Sequence, residues 1–397
     1  MTAVWTRHRR SPAGSNPVAA PSAPFTDLHF PSRVVFGAGT LDQVGTIVRG
    51  WSERALLVTD GGMRVTGLVS RVEGSLRSAG VDATVFDRVM PNPTVAQVEA
   101  GLQTGVGRDI GIIVSVGGGS AHDAAKMIAL VASNGGGVDD YAGVDRSTHR
   151  ALPIVAVNTT AGSGAEVSRY AVISDPPTRR KFVVADRHIT PRVAIEDPLT
   201  TRGLPAAQTM ATGLDALTHA IESIVSTASS PVSDLYAMRA IELIREHLPR
   251  ALRDGGDLAA REGMMLAALL AGLSISSAVA GAVHALSHAL GAALDLPHGV
   301  CNGILLPAVV EANLPVARER YALVAAAFAP GRSPDQLPRL LREFGDRVGL
   351  PAGLGALGVA AEAIPALVQP ALDDLAMTTN PRTLTAEDVA RCYERSL

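Results

Sequence analysis

Acidic and histidine residues recur at helical spacing in the second half of the chain. Asp215 and His219 are four residues apart in ATGLDALTHAIE, and His284 and His288 are four apart in HALSHALG. His298 follows a proline, at the expected start of another helix. Residues four apart on a helix share one face, and titratable groups buried in alanine-rich helices are costly unless a cation or a hydrogen-bond network satisfies them. The pattern therefore predicts a divalent metal site, with a purely structural polar cluster as the alternative.

A glycine-rich turn follows an apolar run in the segment GIIVSVGGGSAHDAAK. Glycines let the backbone approach a ligand closely, and the following helix would offer free N–H groups and the positive end of its dipole. A pyrophosphate fits such a place, although the turn lacks the GxGxxG fingerprint of ordinary dinucleotide-binding domains. A tight strand-to-helix turn without a ligand explains the same residues equally well.

Two further segments have residue types that suit a nucleotide. Small hydroxyl residues in NTTAGSGAE follow another apolar run, where they could bind a ribose or a nicotinamide. Ser163 and Glu166 also have the spacing of a capping box, so a helix start is expected here as well. Asp60 ends the run ALLVTD and could bind ribose hydroxyls while repelling a 2′-phosphate. An ordinary turn aspartate before two glycines is the alternative for Asp60.

Short β-branched runs alternate with amphipathic alanine-rich segments from Phe25 to about Asp197. The expected strands are 33–36, 55–60, 83–87, 111–116, 154–158, 171–174 and 193–196. Several of these runs are apolar without alternation, as strands of a parallel sheet covered on both faces are. Helices are expected at 67–79, 95–106 and 121–133. This order predicts a doubly wound α/β domain over residues 25–200, preceded by a disordered tail over 1–24 that is rich in Pro, Ser, Ala and Arg.

Beyond Asp197 the strand pattern stops and helical periodicity continues to the C-terminus. Helices are expected at 204–225, 234–248, 258–293, 309–328 and 337–348, with two more after residue 359. The most apolar stretch, 264–285, is rich in Ala, Gly and Ser, which favours a buried helix over a membrane span. The pattern predicts an all-helical domain over residues 201–397 that carries the metal candidates.

The composition of the 397-residue chain excludes several classes of protein. With 47% hydrophobic residues, the chain can build large cores and is not a disordered or fibrous protein. A net charge of −3 gives no electrostatic reason to expect a nucleic-acid partner. Two cysteines, Cys301 and Cys392, cannot form a disulfide scaffold and suit a reducing compartment. We therefore expect a cytoplasmic protein without a nucleic-acid or membrane partner.

Taken in order, the motifs resemble those of the iron-containing (group III) alcohol dehydrogenases. The matching blocks are RVVFGAGTL, MPNPT, GGGSAHDAAK, NTTAGSGAEV, ATGLDALTHAIE, HALSHALG, LPHGVCNGILLP and TNPRTLT. The resemblance runs from about Phe25 to the C-terminus. It implies an α/β N-terminal nucleotide-binding domain with a parallel sheet, followed by an all-helical metal-binding domain, a fold that is also similar to that of dehydroquinate synthase.

Carried over position by position, the resemblance implies a role for particular side chains. The implied metal ligands are Asp215, His219, His284 and His298. His288 matches a histidine near the substrate and is the expected catalytic proton relay. The implied cofactor-binding residues are Asp60, Asn92, Gly118, Gly119, Ser120, Asp123, Thr159, Thr160, Ser163 and Lys181. Ser163 stands where threonine is commoner, and its hydroxyl group is kept. Small residues on the expected pocket wall, Ile275, Ser276 and Ser277, leave room for a substrate longer than ethanol.

The implied activity is the NAD(H)-dependent interconversion of an alcohol and an aldehyde or ketone on a divalent metal. Three imidazoles and one carboxylate accept several metals, with iron(II) the first expectation and zinc(II) the second. Alternatives are a maleylacetate reductase, a glycerol dehydrogenase, or a dehydroquinate-synthase-like lyase, which would need a basic pocket that a lysine-free segment between Asp197 and Val309 does not offer. A non-enzymatic scaffold that keeps NAD is a further alternative. The expected partners are a small alcohol or aldehyde and other copies of the chain, as a homodimer or higher homo-oligomer.

Overall fold

A computed structural model describes residues 30, 32–178 and 180–397, and the predicted tail 1–24 lies outside them. The strands in this part of the chain are β1 Arg33–Phe36, β2 Arg54–Asp60, β3 Asp82–Val89, β4 Ile112–Gly117, β5 Gly143–Val144, β6 Ile154–Asn158, β7 Tyr170–Asp175, β8 Arg180–Ala185 and β9 Val193–Glu196. The α-helices of the first half are α1 Val44–Arg49, α2 Gly61–Val65, α3 Leu68–Ser78, α4 Val95–Gly105 and α5 Gly119–Asn134. Those of the second half are α6 Ala206–Val225, α7 Pro231–Arg253, α8 Leu258–Ala278, α9 Ala282–Leu294, α10 His298–Phe328, α11 Leu337–Val348, α12 Ile364–Leu372 and α13 Ala386–Glu394.

Six strands form a parallel sheet in the order β1-β9-β6-β4-β2-β3. The central strands β4 and β6 are buried along their whole length, since helices cover both faces of the sheet. The strand order reverses between β2 and β4, because β2 leads to β3 on one side and β4 leads to β6 on the other. Ligands of open parallel sheets bind outside the carboxyl ends of the strands at such a reversal. Asp60, Gly117 and Asn158 end β2, β4 and β6 at this edge. The predicted parallel-sheet domain is confirmed.

A second sheet of three strands, in the order β5-β8-β7, lies outside the parallel sheet. Residues 171–174 were expected among the parallel strands, and that assignment is wrong, because β7 pairs antiparallel with β8. The burial of β7 alternates between buried and half-buried residues, which is typical of a strand with one covered face. β8 was not predicted; it places Lys181 opposite Ser174.

The second half of the described chain is helical, as predicted, around a large apolar core. The single helix expected at 258–293 is two helices, α8 and α9, separated at residues 279–281. Val279 has a φ of 62°, a left-handed conformation that is uncommon for a β-branched residue. Beyond the break, the Glu222 carboxylate accepts hydrogen bonds from the backbone N–H groups of Gly281 and Val283 at the start of α9. This tertiary contact fixes a helix start that the apolar sequence does not signal.

Two helices of the described residues, α8 and α10, are long and apolar enough to cross a bilayer. In the fold, 67% of the apolar window of α8 and 72% of that of α10 are buried. Burial of this extent is typical of core helices in a globular domain, and it agrees with the interpretation of 264–285 as a buried stretch.

Candidate active site

A cavity of about 380 Å³ lies between the carboxyl edge of the parallel sheet and the helices of the second half. Predicted cofactor-binding and metal-binding residues both line it. From the first half come Asn92, Gly119, Ser120, Asp123, Ser163 and Lys181, and from the second half come Asp215, His219, His284, His288 and His298. The fold therefore places residues that are far apart in sequence around one cavity. The most distant of them, Asn92 and His298, are separated by 206 residues.

The four predicted metal ligands converge at one end of this cavity. Asp215 and His219 lie one turn apart on α6, His284 lies in the first turn of α9, and His298 begins α10. The Nε2 atoms of His219, His284 and His298 lie 3.8, 3.7 and 3.6 Å from Asp215 Oδ1. Ligand atoms of Asp215, His284 and His298 all lie within 4.8 Å of one another, and the His219 ring stacks on that of His284 at 4.7 Å. One carboxylate and three imidazoles, with His298 half-buried and the other three side chains buried, are donors that fit a divalent iron or zinc ion.

Protonation in the site favours an ionised Asp215 carboxylate beside the neutral rings of His219 and His298. Burial raises the pKa of Asp215, but the three neighbouring histidines outweigh it and hold the pKa well below its usual range. Burial lowers the pKa of His219 to about 4, and it lowers that of His298 well below the ordinary value. His284 differs: burial lowers its pKa, but the carboxylates of Glu222 and Asp215 together raise it to about 10. A metal ion binds the neutral imidazole, so ion uptake at His284 releases a proton.

Three of the four candidate ligands have an outer partner that the sequence analysis missed, whereas the buried Nδ1 atom of His219 has none among the described residues. His284 Nδ1 donates to Glu222 Oε2 at 2.5 Å, which turns Nε2 toward Asp215. The Ser287 hydroxyl lies 2.9 Å from His298 Nδ1, and Asn302 Nδ2 donates to Asp215 Oδ1 at 2.8 Å. Partners of this kind orient metal-binding side chains. Helical spacing could have found two of them, because Glu222 is three residues after His219 and Asn302 is four after His298.

His288 lies one turn beyond His284 on α9 and lines the cavity. Its ring stacks on that of His298, with centroids 5.2 Å apart, and meets the His284 ring edge-on at 6.0 Å. Its Nδ1 atom lies 2.9 Å from Oδ2 of Asp374, a third carboxylate that the sequence analysis did not single out.

The two small-residue segments predicted to bind the cofactor pack directly against each other. A methyl group on Gly118 would lie 2.8 Å from Thr160 Oγ1, and one on Gly119 would lie 2.9 Å from Ser163 Oγ, so both contacts exclude a side chain. Gly118 is the N-cap residue of α5, and no side chain caps this helix. The N-terminus of α5 therefore presents backbone N–H groups beside the cavity.

The capping box predicted for Ser163 and Glu166 is wrong. No helix begins among residues 159–169, and Ser163 Oγ accepts from the backbone N–H of Ala165 within a turn. The close approach of Gly164 to Gly272 shapes this segment, because a methyl group on Gly164 would lie 2.3 Å from the Gly272 Cα atom. The conformation of the segment is therefore set by its packing against α8, and no helix starts in it.

Several predicted cofactor residues lie at the same edge without lining the cavity. Asp60 ends β2 and caps α2, accepting from Met63 N at 3.0 Å. Thr159 is buried, and within the described residues its hydroxyl has no hydrogen-bond partner. On the pocket wall, Ile275 lines the cavity as predicted, whereas the two small side chains expected beside it, Ser276 and Ser277, do not.

Asn92 and Lys181, which both line the cavity, form a chain of hydrogen bonds with Asp295. Lys181 Nζ donates to Asn92 Oδ1 at 3.0 Å, and Asn92 Nδ2 donates to Asp295 Oδ1 at 2.8 Å. Asn92 and Asp295 both have positive φ angles, of 55° and 51°. The chain links β8, the β3–α4 connection and the α9–α10 connection, the last of which leads directly to His298.

A parallel-sheet domain is joined to a helical domain, and the cavity between them is lined by a histidine-rich candidate metal site, as a metal-dependent dehydrogenase requires. Residues 31–198 match the profile described as iron-containing alcohol dehydrogenase, and residues 209–397 match the profile of the C-terminal part of the Fe-containing alcohol dehydrogenase family. The chain belongs to the iron-containing alcohol dehydrogenase family. The resemblance inferred from the sequence motifs is therefore confirmed.

Several related proteins align with nearly the whole chain. Alcohol dehydrogenase 4 of Saccharomyces cerevisiae is 42% identical, over 94% of this chain and 98% of that protein. The NAD-dependent methanol dehydrogenase of Bacillus methanolicus is 38% identical, over 94% of this chain and 100% of that protein. A crystal structure of a 1,3-propanediol oxidoreductase has a TM-score of 0.91 and 39% identity, and the match covers 94% of this chain and 100% of that one.

The protein is thus an oxidoreductase that acts on CH–OH donors with NAD(H), as predicted. The family uses NAD(H) and one metal ion per chain, and the cluster of Asp215, His284 and His298 is a candidate site for that ion.

Proposed function

We propose that the protein interconverts a primary alcohol longer than ethanol and the corresponding aldehyde, using NAD(H) and a divalent metal ion held by Asp215, His219, His284 and His298. One observation carries the proposal. The same cavity is lined by Gly119 and Ser120 of the glycine-rich turn and by all four of these metal candidates. A nicotinamide ring and a small alcohol would therefore lie next to each other in this cavity, as hydride transfer requires.

The residues around the α5 N-terminus would hold the cofactor. Gly118, Gly119 and Ser120 offer uncapped backbone N–H groups to a pyrophosphate, and Asp123 follows on the same helix. Asp60, at the strand-order reversal, would accept hydrogen bonds from the adenosine ribose. The hydroxyl-rich segment of Thr159, Thr160 and Ser163 would lie on the nicotinamide side, and the Asn92 and Lys181 side chains would face a ribose.

A bound divalent ion would act as a Lewis acid that polarises the oxygen of the alcohol or the carbonyl. The side chains of the chain itself would place the substrate and move its proton. His288 Nε2 is the proposed proton relay, because Nδ1 of the same ring is engaged by Asp374 and the ring lines the cavity. The apolar wall made by Ile275, Val279 and Leu375 would exclude water from the carbon chain of the substrate.

The length of the substrate is inferred from the cavity, because the names of the relatives include substrates both shorter and longer than ethanol. The named relatives include dehydrogenases of methanol and 1,3-propanediol and a reductase of lactaldehyde. In this chain, Val279, Ala280 and Ala376 form a small-residue part of the wall beside the metal candidates. That part of the cavity would accept a carbon chain longer than two atoms.

Metal analysis combined with an aldehyde panel tests the proposal. The purified protein is loaded with iron(II) or zinc(II), and NADH oxidation is measured with aldehydes from acetaldehyde to hexanal. His284→Ala should lower metal content and turnover together by at least about 100-fold, whereas His149→Ala, a change at an exposed histidine, should leave both unchanged. Full metal content and normal kcat in His284→Ala would contradict the ligand assignment. A higher kcat/KM for acetaldehyde than for any longer aldehyde would contradict the proposed substrate length.

We also propose iron(II) as the resident ion, a cytoplasmic location, and a homodimer or higher homo-oligomer. The two-domain division proposed from the sequence, 25–200 and 201–397, is kept, since the last strand β9 ends at Glu196 and the first long helix α6 starts at Ala206. Elemental analysis of protein purified without added metal and light scattering at several concentrations test the ion and the oligomeric state.

A further inference from the structure

We propose that Asp374 is a positioning residue for His288, and that it fixes both the tautomer of this imidazole and the direction of its Nε2 atom. The inference rests on the proposed function, in which His288 moves the substrate proton. Asp374 lies 86 residues from His288 in sequence, in the segment between α12 and α13. No motif of the sequence analysis included it.

Both oxygens of the Asp374 carboxylate are engaged. Oδ1 accepts from the backbone N–H of Ala376 at 2.8 Å and caps the turn Leu375–Thr379, and Oδ2 lies 2.9 Å from His288 Nδ1. Only 11% of the Asp374 side chain and 13% of the His288 side chain are exposed. Burial raises the pKa of Asp374, but the facing His288 outweighs it and lowers the pKa below its usual value. With Oδ1 engaged by the backbone N–H, Oδ2 is placed to accept a hydrogen bond from His288 Nδ1.

Ring stacking alone cannot set the chemistry of His288. The rings of His298 and His284 fix the plane of the imidazole, at centroid distances of 5.2 and 6.0 Å. Stacking does not decide which nitrogen has the proton, because both tautomers have the same shape. The carboxylate of Asp374 decides it: the proton stays on Nδ1, which leaves the lone pair on Nε2 of a ring that lines the cavity, free to accept a substrate proton.

The segment that holds Asp374 is fastened independently of this contact. Thr379 Oγ1 donates to the carbonyl of Ala280 at 2.5 Å. The side chains of Asn380 and Asn313 donate to each other, at 2.9 and 2.8 Å, and Asn380 Nδ2 also donates to the carbonyl of Arg382. A change at Asp374 should therefore alter His288 without displacing the cavity wall next to it.

Asp374→Asn is the most informative variant. An amide has one oxygen, yet two donors face this side chain, the Ala376 N–H and the His288 Nδ1–H. If the amide oxygen keeps the backbone contact, its NH₂ group faces Nδ1, which then accepts a hydrogen bond, and the proton moves to Nε2. The expected result is a fall in kcat of about 10- to 100-fold with unchanged metal content and KM for NAD. The matched control is Asp373→Asn, at the exposed neighbouring aspartate, which contacts Gln369.

A double-variant comparison separates positioning from a structural role. If Asp374 acts through His288, then Asp374→Asn should lower kcat in the wild-type background and have no further effect in a His288→Gln background. An equal loss in both backgrounds would overturn the proposal, and so would a wild-type kcat in Asp374→Asn.

The tautomer can be measured without turnover. In zinc-loaded protein with nitrogen-15-labelled histidine, the resonances of His288 are identified by their loss in His288→Gln. Wild type should show a protonated Nδ1 and Asp374→Asn a protonated Nε2. The same tautomer in both proteins would overturn the proposal, even if the protein turned over no alcohol. Reversed tautomers in a protein that reduces no aldehyde would support the positioning role and contradict the proposed function, so the two failures are distinguishable.

Discussion

Replacing Glu222 by glutamine should weaken metal binding while leaving the chain folded. Three donors converge on this buried carboxylate: the backbone N–H groups of Gly281 and Val283, at 2.9 and 2.6 Å, and His284 Nδ1 at 2.5 Å. A glutamine amide offers one oxygen, so its NH₂ group must face at least one of these donors. A buried donor without a partner costs about 1–3 kcal/mol, and the His284 ring also loses the negative charge that orients it.

The expected size of the effect follows from how outer partners act on metal ligands. Loss of such a partner lowers metal affinity by about 10- to 100-fold, or about 1.4–2.8 kcal/mol. This range agrees with one unsatisfied donor at the Glu222 site. The helical domain should stay folded, since its core is a large cluster of apolar side chains that does not depend on Glu222.

Competition with a chelator measures the affinity directly. Glu222→Gln and wild type are loaded with zinc or cobalt, and the ion is titrated out with a chelator of known affinity. Circular dichroism of the metal-stripped proteins then compares their folding. Glu262→Gln, the same chemical change on the exposed side of α8, is the control. An unchanged metal affinity in Glu222→Gln would refute the reasoning. If the metal-stripped Glu222→Gln protein were unfolded, its lower affinity would come from the lost start of α9 and not from the orientation of His284.

Three further changes test the cofactor side and the buried acids. Asp60→Gly should narrow the preference for NADH over NADPH, because it removes the charge that repels a 2′-phosphate; a better kcat/KM for NADPH in the wild type would contradict this role. Gly118→Ala should weaken NADH binding about tenfold or more, since the new methyl group would lie 2.8 Å from Thr160 Oγ1. Thr160→Gly in the same chain should restore part of the fluorescence-measured affinity, and equal affinities in all three proteins would be evidence against the contact. Burial raises the pKa of Glu166 to about 7, and burial and the neighbouring Glu166 raise that of Glu196 well above its ordinary value. The folded state therefore keeps protons on these two carboxyl groups that the unfolded chain releases above about pH 4.5. The stability that this proton binding gives the folded state is lost as pH rises through about 7 and beyond. Urea unfolding at about pH 5 and about pH 8 should show a smaller fall in stability for Glu196→Gln than for wild type, and parallel changes in the two proteins would contradict this.

The metal candidates could be predicted because their signal is local. Asp215 and His219 are four residues apart on one helix, and so are His284 and His288, so periodicity alone places each pair on one face. Asn302 and Glu222 have the same kind of spacing, at i+4 and i+3 from a predicted ligand. Their spacing alone does not single them out, because an amide or a single carboxylate in a helix is usually an exposed residue.

Other features depend on contacts that no local pattern encodes. Asp374 is 86 residues from His288, and the alternating burial of β7 is set by its antiparallel pairing with β8. The break between α8 and α9 is a similar case. The apolar run through residues 264–285 predicts a continuous helix, and the left-handed Val279 contradicts the local preference. Tertiary contacts override helix propensity there.

That break also determines how the candidate ligand His284 is placed. A helix that continued through Val279 would have its backbone N–H groups at residues 281 and 283 bonded within the helix, with none to offer to Glu222. Because α9 starts afresh at Ala282, these N–H groups are free, and the positive end of its dipole faces the carboxylate of Glu222 from α6. The same carboxylate then receives His284 Nδ1 from the first turn of α9. One buried acid thus caps a helix and orients the imidazole of a candidate metal ligand, so a single side chain fixes both the helix start and the direction of that imidazole.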